Sequence, residues 1–171
     1  MGLADPSPVS EPDASLVEIE GYAAIFGSVD LSGDIVMPGA FSSVTRLSKN
    51  LIPDPASRVM MLYQHAVDQP IGRWTEMRED HHGLFVRGHL FADTARGGDL
   101  YHLLRRGAID GLSIGFKPER VRRNRAGQRE LHKVALWEVS IVTFPMAPQA
   151  RITRVSAPGE RLPRNLLSTT L

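Results

Sequence analysis

The sequence predicts an α+β fold that is mainly antiparallel β, arranged as a closed or nearly closed β-barrel with a few surrounding helices. Two observations support this class. Many short runs rich in apolar and β-branched residues follow one another, separated by Gly, Pro and polar turns. Only two segments between them have helical spacing, whereas a doubly wound α/β fold would need helices that alternate with its strands. We therefore expect the strands to form the wall of the domain.

The first part of the chain is expected to supply an opening strand, a short helix and a central strand. Residues 16–26 alternate partly between apolar and polar side chains, as a half-buried strand does. Residues 27–33 read as a polar loop, and residues 38–47 suit a short helix because Pro38 lies near its first turn. Residues 59–64 form an almost continuous apolar run, which is typical of a buried strand.

The second part of the chain is expected to contain a hairpin, a helix and further strands. Residues 71–78 and 84–91 flank a Gly-containing turn and predict the hairpin. Residues 98–106 have helical apolar spacing and end before Gly107, a residue that often terminates helices. The remaining strand-like segments are residues 112–116, 130–138 and 139–144, with an Arg-rich turn at 117–129.

Composition divides the chain into one body and two tails. Of its 171 residues, 42% are hydrophobic and 23% are charged, as in ordinary soluble domains. Residues 1–14 are rich in Pro, Ser and acidic residues and are expected to form a disordered N-terminal tail. Residues 156–171, with scattered Pro and Gly, are expected to form a C-terminal tail. Residues 15–155 are then one domain of ordinary size.

Several classes of protein are excluded by composition. The chain has no cysteine, so it has no disulfide framework, no thiolate metal site and no Cys nucleophile. No apolar stretch approaches the roughly 18 residues that a membrane span needs, and the N-terminus lacks the basic start and apolar run of a secretory signal. We expect no membrane attachment and no metal or other cofactor.

The clearest catalytic candidate is Ser113. It lies in Gly111-Leu-Ser-Ile-Gly115, which matches the G-x-S-x-G pattern that places a nucleophile between a strand and a helix in α/β-hydrolases. Pro118 argues against a helix there, and those enzymes order their triad as Ser, acid and His, whereas only His132 follows this serine. The residues alone therefore leave Ser113 as either a nucleophile or a buried strand serine.

Two further positions could cooperate with such a serine. His65 ends an apolar strand and precedes a polar loop, so it is either a general base titrating near neutral pH or a histidine that merely ends the strand. Glu138 lies between apolar residues on an expected core strand. A buried carboxylate needs a partner, for which a His and one of the many Arg residues are both suitable.

The other histidines and acidic residues indicate no metal site. His81, His82 and His89 do not follow zinc-ligand spacing. Asp30 and Asp34 bracket a Ser-Gly turn like an incomplete calcium loop, but capping of the turn by an Asx side chain explains them better.

Taken together, these segments resemble the prohead, or capsid maturation, serine proteases of tailed bacteriophages. The resemblance covers roughly residues 17–155. Its specificity comes from the order and intervals of eight short motifs, although the alanine usual after the last proline is Met146 here. The motifs are Gly21–Gly27, Asp30–Asp34, Pro38–Phe41, Gln64-His65, Pro70–Gly72, Gly83-Leu84, Gly111–Phe116 and Trp137–Pro145.

This resemblance implies a fold similar to that of the herpesvirus assemblins, a β-barrel wrapped by helices. It implies a serine endopeptidase that works in the host bacterial cytoplasm, inside the assembling prohead. There it would remove the scaffolding segment of the major capsid protein and then cleave itself, and a homodimer is a further implication. Ser113 matches the nucleophile and His65 the base. Glu138 falls near the third position, where assemblins have a second His.

Three other functions stay open from the sequence. The chain could be a catalytically inactive capsid-assembly or scaffold component that kept the barrel. It could be a small serine esterase that uses the G-x-S-x-G serine. A third possibility is nucleic-acid binding through residues 117–133, which hold seven basic residues against two acidic ones. The net charge of +1 argues against that last function.

Overall fold

The computed structural model describes residues 15–45 and 58–163. The predicted tail 1–14 and the end of the second tail, residues 164–171, lie outside these ranges, as does the end of the expected 38–47 helix. The strands and helices are β1 Leu16–Ile25, β2 Asp34–Val36, α1 Ser42–Thr45, β3 Met60–Tyr63, β4 Pro70–Glu79, β5 Gly83–Phe91, α2 Ala95–Arg105, β6 Gly111–Arg123, β7 Arg129–Val142 and β8 Arg151–Val155.

Seven of these strands close into a barrel. Their order is β7-β3-β4-β5-β1-β8-β6, and β6 pairs back onto β7 to complete the ring. Most neighbours are antiparallel, but β3 runs parallel to β7, and the short β2 pairs in parallel with the start of β7. The predicted barrel, mainly antiparallel with few helices, is confirmed. Closure pairs the backbone N–H and C=O groups that the edge strands of an open sheet would leave unpaired.

Several strand bounds differ from those expected. The segments 130–138 and 139–144 form one continuous strand, β7, and neither β2 nor β8 was predicted. Strand β6 continues to Arg123 instead of ending near residue 116. Residues 117–123 are all exposed, so no hydrophobic alternation marks them in the sequence. They become a strand because six of the seven, all except Glu119, pair across a hairpin with β7.

Apolar side chains from most of the wall strands form the core of the domain. Trp74 of β4 is almost fully buried, and its indole N–H donates to the Val139 carbonyl of β7 at 3.3 Å. Each such side chain contributes about 1.5–3 kcal/mol through burial. The other large, fully buried side chains of the wall strands are Ile19, Met61, Ile71, Met77, Leu84, Leu90, Leu112, Leu131 and Ile141. This packing fixes β3, β6 and β7 relative to one another.

A buried ionic network joins three neighbouring strands. Glu20 of β1 and Arg87 of β5 are only 5% and 6% exposed. Arg87 Nε donates to Glu20 Oε2 at 2.9 Å, and Arg154 Nε of β8 donates to Glu20 Oε1 at 2.5 Å. Both carboxylate oxygens are therefore paired, as a buried carboxylate requires.

The chain beyond β8 stays against the barrel as far as it is described. Ser156 is buried, and its hydroxyl accepts a hydrogen bond from the Glu18 N–H at 2.9 Å. The Leu162 N–H donates to Glu18 Oε2 at 2.5 Å, and Arg154 Nη2 donates to the Pro163 carbonyl at 2.9 Å. Residues 156–163 are thus tied to β1 and β8.

Burial of His89 is expected to make the stability of the domain depend on pH. Burial lowers the pKa of His89, the Glu18 carboxylate opposes that shift, and Arg73 and Arg161 reinforce it. Its Nδ1 is buried without a hydrogen-bond partner. Because the unfolded chain takes up this proton more readily, the free energy of unfolding should fall as pH drops below about 6.5. Urea unfolding at several pH values should show a weaker pH dependence in His89→Gln.

The exposed His81 provides the matched control. His81→Gln should leave the pH dependence of unfolding unchanged, because its ring is exposed at the β4–β5 turn. If His89→Gln keeps the full pH dependence of the wild type, another group carries the effect.

Candidate active site

Three strands bring the three candidate residues to one region of the barrel. On the β6–β7 ladder, Ser113 is paired with Ser140, and Gly115 is paired with Glu138. On the other side of β7, Met60 of β3 is paired with Glu138, and β3 runs on for three residues before the turn that carries His65. Residues that are remote in sequence therefore meet because β7 lies between β3 and β6.

The His65 ring and the Glu138 carboxylate are in direct contact. His65 Nδ1 lies 2.6 Å from Glu138 Oε1. The other oxygen, Oε2, accepts a hydrogen bond of 2.5 Å from the hydroxyl of Ser140, which is fully buried. The side chain of Glu138 is 13% exposed and that of His65 is 45% exposed, so the acid lies inside and the ring reaches outwards. Of the two partners considered for Glu138, the structure places the histidine against it.

The backbone at His65 has an unusual conformation that its neighbours hold in place. Gln64 and His65 have φ values of 53° and 60°, in the left-handed region that costs non-glycine residues roughly 1–3 kcal/mol. The Gln64 side chain bonds twice to Thr143: its Nε2 donates to Oγ1 at 2.6 Å, and its Oε1 accepts from the backbone N–H at 3.3 Å. The Gln64 N–H donates to the Ile141 carbonyl. These bonds fix the turn to the end of β7.

The second glycine of the G-x-S-x-G pattern leaves room for the acid. A Cβ at Gly115 would lie 2.0 Å from Glu138 Oε1, closer than any side chain allows. Ser113 itself lies on a strand that continues to Arg123, not on a strand-to-helix turn. The pattern therefore has a different structural basis here from that in α/β-hydrolases.

Ser113 and His65 line the same cavity, which has a volume of about 220 Å³. Ser113 is 5% exposed, and no hydrogen bond joins its hydroxyl to the His65 ring. Such contacts often tighten only when a substrate binds. The other lining residues are mainly apolar: Ala23, Ala24, Ile25, Val36, Leu112, Ile114, Phe116, Met146 and Ala147, with Ser28, Asp30, Ser32 and Asp34 as the polar ones.

The turn between Asp30 and Asp34 is held by capping, as expected from the sequence. Asp30 Oδ1 accepts hydrogen bonds from the Ser32 N–H, the Ser32 hydroxyl and the Asp34 N–H at 2.7–2.9 Å. Burial raises the pKa of Asp34, while Arg129, whose Nε lies 3.3 Å from its Oδ1, acts in the opposite direction. Within residues 15–45 and 58–163, no three His, Asp or Glu side chains are grouped to hold a metal ion.

Comparison with known proteins gives the family. Residues 7–163 match the family model of the caudovirus prohead serine proteases. The chain belongs to this family. It is 33% identical over 141 residues to the prohead protease of Enterobacteria phage HK97, a match that covers 81% of this chain but only 60% of the HK97 protein. The chain therefore spans less than two thirds of that relative's length.

Solved structures support the fold of this prohead protease chain. The bacteriophage T4 capsid assembly protease superimposes with a TM-score of 0.57 at 15% identity, covering 75% of this chain and 82% of the T4 chain. The KSHV protease gives a TM-score of 0.48 at 11% identity, covering 80% of this chain and 64% of that one, which is too low to add weight. In the described part of this chain, no helix has the length and apolar character of a membrane span.

Two polar residues next to the three candidates were missed from the sequence. In the sequence, Gln64 belongs only to the Gln64-His65 motif, and Ser140 lies only within the motif Trp137–Pro145. In a strand, residues two apart share a face, which was the available signal that Ser140 could reach Glu138. No comparable signal marks Gln64, because its partner Thr143 lies 79 positions away.

Proposed function

We propose that this prohead protease chain is a serine endopeptidase in which Ser113 is the nucleophile, His65 the general base and Glu138 the residue that orients the base. One observation carries the proposal. His65 contacts Glu138 at 2.6 Å while its ring lines one cavity with Ser113. Glu138 does not line this cavity. His65 therefore contacts the acid on one side and shares the cavity with Ser113 on the other, as the histidine of a Ser-His-acid triad does.

The chemistry follows from these positions. As the Ser113 oxygen attacks the carbonyl carbon of a peptide bond, His65 Nε2 accepts the hydroxyl proton. Glu138 accepts a hydrogen bond from Nδ1–H, which fixes the tautomer and stabilises the imidazolium that forms. His65 then returns the proton to the leaving amine. Water, activated by the same ring, finally hydrolyses the acyl-enzyme and releases the new carboxylate.

The tetrahedral intermediate needs N–H donors for its oxyanion. Met146 and Ala147 line the cavity beside Ser113, and within the described chain their backbone N–H groups have no hydrogen-bond partner. We assign the oxyanion site to this segment. In serine proteases, removal of a single side-chain donor of this kind costs about 3–4 kcal/mol.

The substrate and setting are part of the proposal. Membership of the prohead protease family and the likeness to the HK97 enzyme support action on the scaffolding segment of the major capsid protein. They also support action inside the assembling prohead in the host bacterial cytoplasm, and we include self-cleavage in the proposal. The T4 relative, described as a capsid assembly protease, is consistent with this setting. Intact-mass measurement after incubation should show whether residues 156–171 are trimmed or stable, and sedimentation should show whether the chain forms a homodimer.

A fluorophosphonate probe tests the nucleophile without knowledge of the substrate. It should label the wild-type chain once, on the peptide that contains Ser113, and labelling should be lost in His65→Ala as well as in Ser113→Ala. A catalytically inactive capsid component would take up no probe. A small esterase would be labelled and would cleave p-nitrophenyl esters, but it would leave every peptide intact.

Ser140 should affect the rate through Glu138. In Ser140→Ala, one buried oxygen of Glu138 loses its donor, which costs about 1–3 kcal/mol and hence roughly a tenfold to hundredfold loss of kcat. KM should stay within twofold, because Ser140 is not among the residues that line the cavity. Steady-state kinetics on a peptide substrate measure both constants.

Ser156 is the matched control, since it is also buried and hydrogen-bonded but lies near Glu18. Ser156→Ala should lower stability and leave kcat unchanged. Equal losses of kcat in the two variants would mean that the Ser140 effect is a general loss of stability.

A further inference from the structure

The large exposed apolar side chains of the described residues are concentrated around one opening. Nine such side chains are exposed by 40% or more, and five of them belong to three loops. Val29 and Leu31 lie between β1 and β2, Val67 lies between β3 and β4, and Phe144 and Met146 lie between β7 and β8. Phe144 and Val67 are each 88% exposed, and Leu31 is 73% exposed.

Each of these loops also lines the cavity that contains Ser113. The first loop contributes Asp30 and Ser32, which are the two neighbours of Leu31. The second loop contributes His65, which precedes Val67 by two residues. The third contributes Met146, which is 48% exposed and so reaches from the cavity to the surface. The other four exposed apolar residues lie within two positions of a residue that lines the cavity, so all five belong to loops at its mouth.

Hydrogen bonds join these three loops to one another. The Leu31 N–H donates to the Met146 carbonyl at 3.0 Å, which joins the first loop to the third. The paired bonds between Gln64 and Thr143 join the second loop to the third, next to Phe144. The surface is thus formed in advance, so that binding need not order the loops.

Exposed apolar side chains grouped in one place mark an interaction site, because their exposure to water is unfavourable and their burial against a partner lowers the free energy. A peptide held at Ser113 extends by about 3.3–3.6 Å per residue, so its first few residues on either side of the reacting bond cross these loops. A polypeptide substrate is therefore the occupant of this surface, because a peptide bound in the cavity at Ser113 must also lie across these loops. A second copy bound on the same loops would cover Ser113 and His65.

We propose that Leu31, Val67, Phe144 and Met146 form an apolar rim that binds apolar side chains flanking the scissile bond. The preferred substrate is then an extended segment with aliphatic or aromatic residues within about three positions of the cleaved bond. This inference rests on the proposed endopeptidase function, and it names a substrate class that the triad alone does not select.

Cleavage of a peptide library gives the first test. Peptides prepared from a bacterial proteome are incubated with the full chain, and the cleaved bonds are identified by mass spectrometry. Apolar residues should be enriched at the flanking positions relative to the library. In Phe144→Ser and Leu31→Ser, that enrichment should weaken, and KM for the best single peptide should rise about fivefold to tenfold with kcat within twofold.

Two control variants replace an exposed apolar side chain by Ser at positions away from the mouth of the cavity. Val121 and Leu103 are 40% and 41% exposed, on the β6–β7 hairpin and on α2. Val121→Ser and Leu103→Ser should leave both the preference and KM unchanged. Flanking positions that match the library composition would overturn the proposal, as would rim variants with wild-type KM.

Failure of the rim and failure of the proposed function give different results. If the wild type takes up fluorophosphonate on Ser113 but rim variants cleave like the wild type, only the rim proposal is wrong. If the wild type neither reacts with the probe nor cleaves, both are wrong. If Phe144→Ser instead converts a dimer into monomers in sedimentation experiments with KM unchanged, the rim is a contact between copies.

Discussion

Replacement of Ser113 by Ala is expected to abolish peptide-bond cleavage while leaving the barrel folded. Without the hydroxyl, no acyl-enzyme can form, and loss of such a nucleophile lowers kcat by about 10⁴- to 10⁶-fold. Ser113 is buried at 5% exposure without a hydrogen bond to His65, so its removal breaks no such contact. Initial rates on a single peptide substrate, together with a thermal unfolding curve, measure the two consequences separately.

Ser43 supplies a matched control for this substitution. It is an exposed serine on α1, a helix from which no residue lines the cavity, so Ser43→Ala should retain the wild-type rate. Cleavage by Ser113→Ala at more than a hundredth of the wild-type rate would remove the serine mechanism. A Ser113→Ala chain that unfolds at a much lower temperature would show that the side chain is needed for packing instead.

Disruption of the Glu20 network should cause a large loss of stability. In Glu20→Leu, Arg87 keeps its charge at 6% exposure, and its nearest remaining carboxylate is that of Glu76, 3.9 Å from Nη1. An uncompensated buried charge costs about 3–5 kcal/mol. The double variant Glu20→Leu/Arg87→Met should recover most of this loss, because both charges are then replaced by apolar groups. Urea unfolding of the wild type, the two single variants and the double variant gives the coupling free energy.

An exposed ion pair provides the comparison. Lys133 Nζ lies 2.8 Å from Glu119 Oε2, and both side chains are at least 40% exposed. Glu119→Leu should therefore change the free energy of unfolding by no more than about 1 kcal/mol. A Glu20→Leu chain that loses as little as that would show that Arg87 finds water or another partner once Glu20 is gone.

Much of this fold could be predicted from the sequence, because hairpins and helix ends depend on residues that are close together in the chain. The β4–β5 hairpin follows from two apolar runs around a Gly-containing turn, and the end of α2 follows from Gly107, whose φ is +66°. The start of α2 was set three residues late, at 98 instead of 95. There Thr94 caps the helix by accepting a hydrogen bond from the Gly97 N–H, and two glycines obscure the apolar spacing.

Non-local pairings could not be predicted in the same way. Strand β2 has three residues, and its partner on β7 lies about 95 positions further along the chain. The contact between His65 and Glu138 depends on the parallel register of β3 and β7, which no segment of sequence encodes alone. Sequence reasoning stated that Glu138 needs a partner but could not choose between His and Arg. Folding makes that choice by placing the two strands side by side.

The parallel placement of β3 and β7 has a consequence for the timing of activity during synthesis. Glu138 reaches its place beside His65 only after the intervening 72 residues have been made and folded, and β8 follows later still. A ribosome-bound chain in which β7 is not yet made contains Ser113 and His65 but has no Glu138 carboxylate beside the imidazole ring. On the proposed mechanism, the topology therefore delays cleavage until β7 has been translated and has paired with β3.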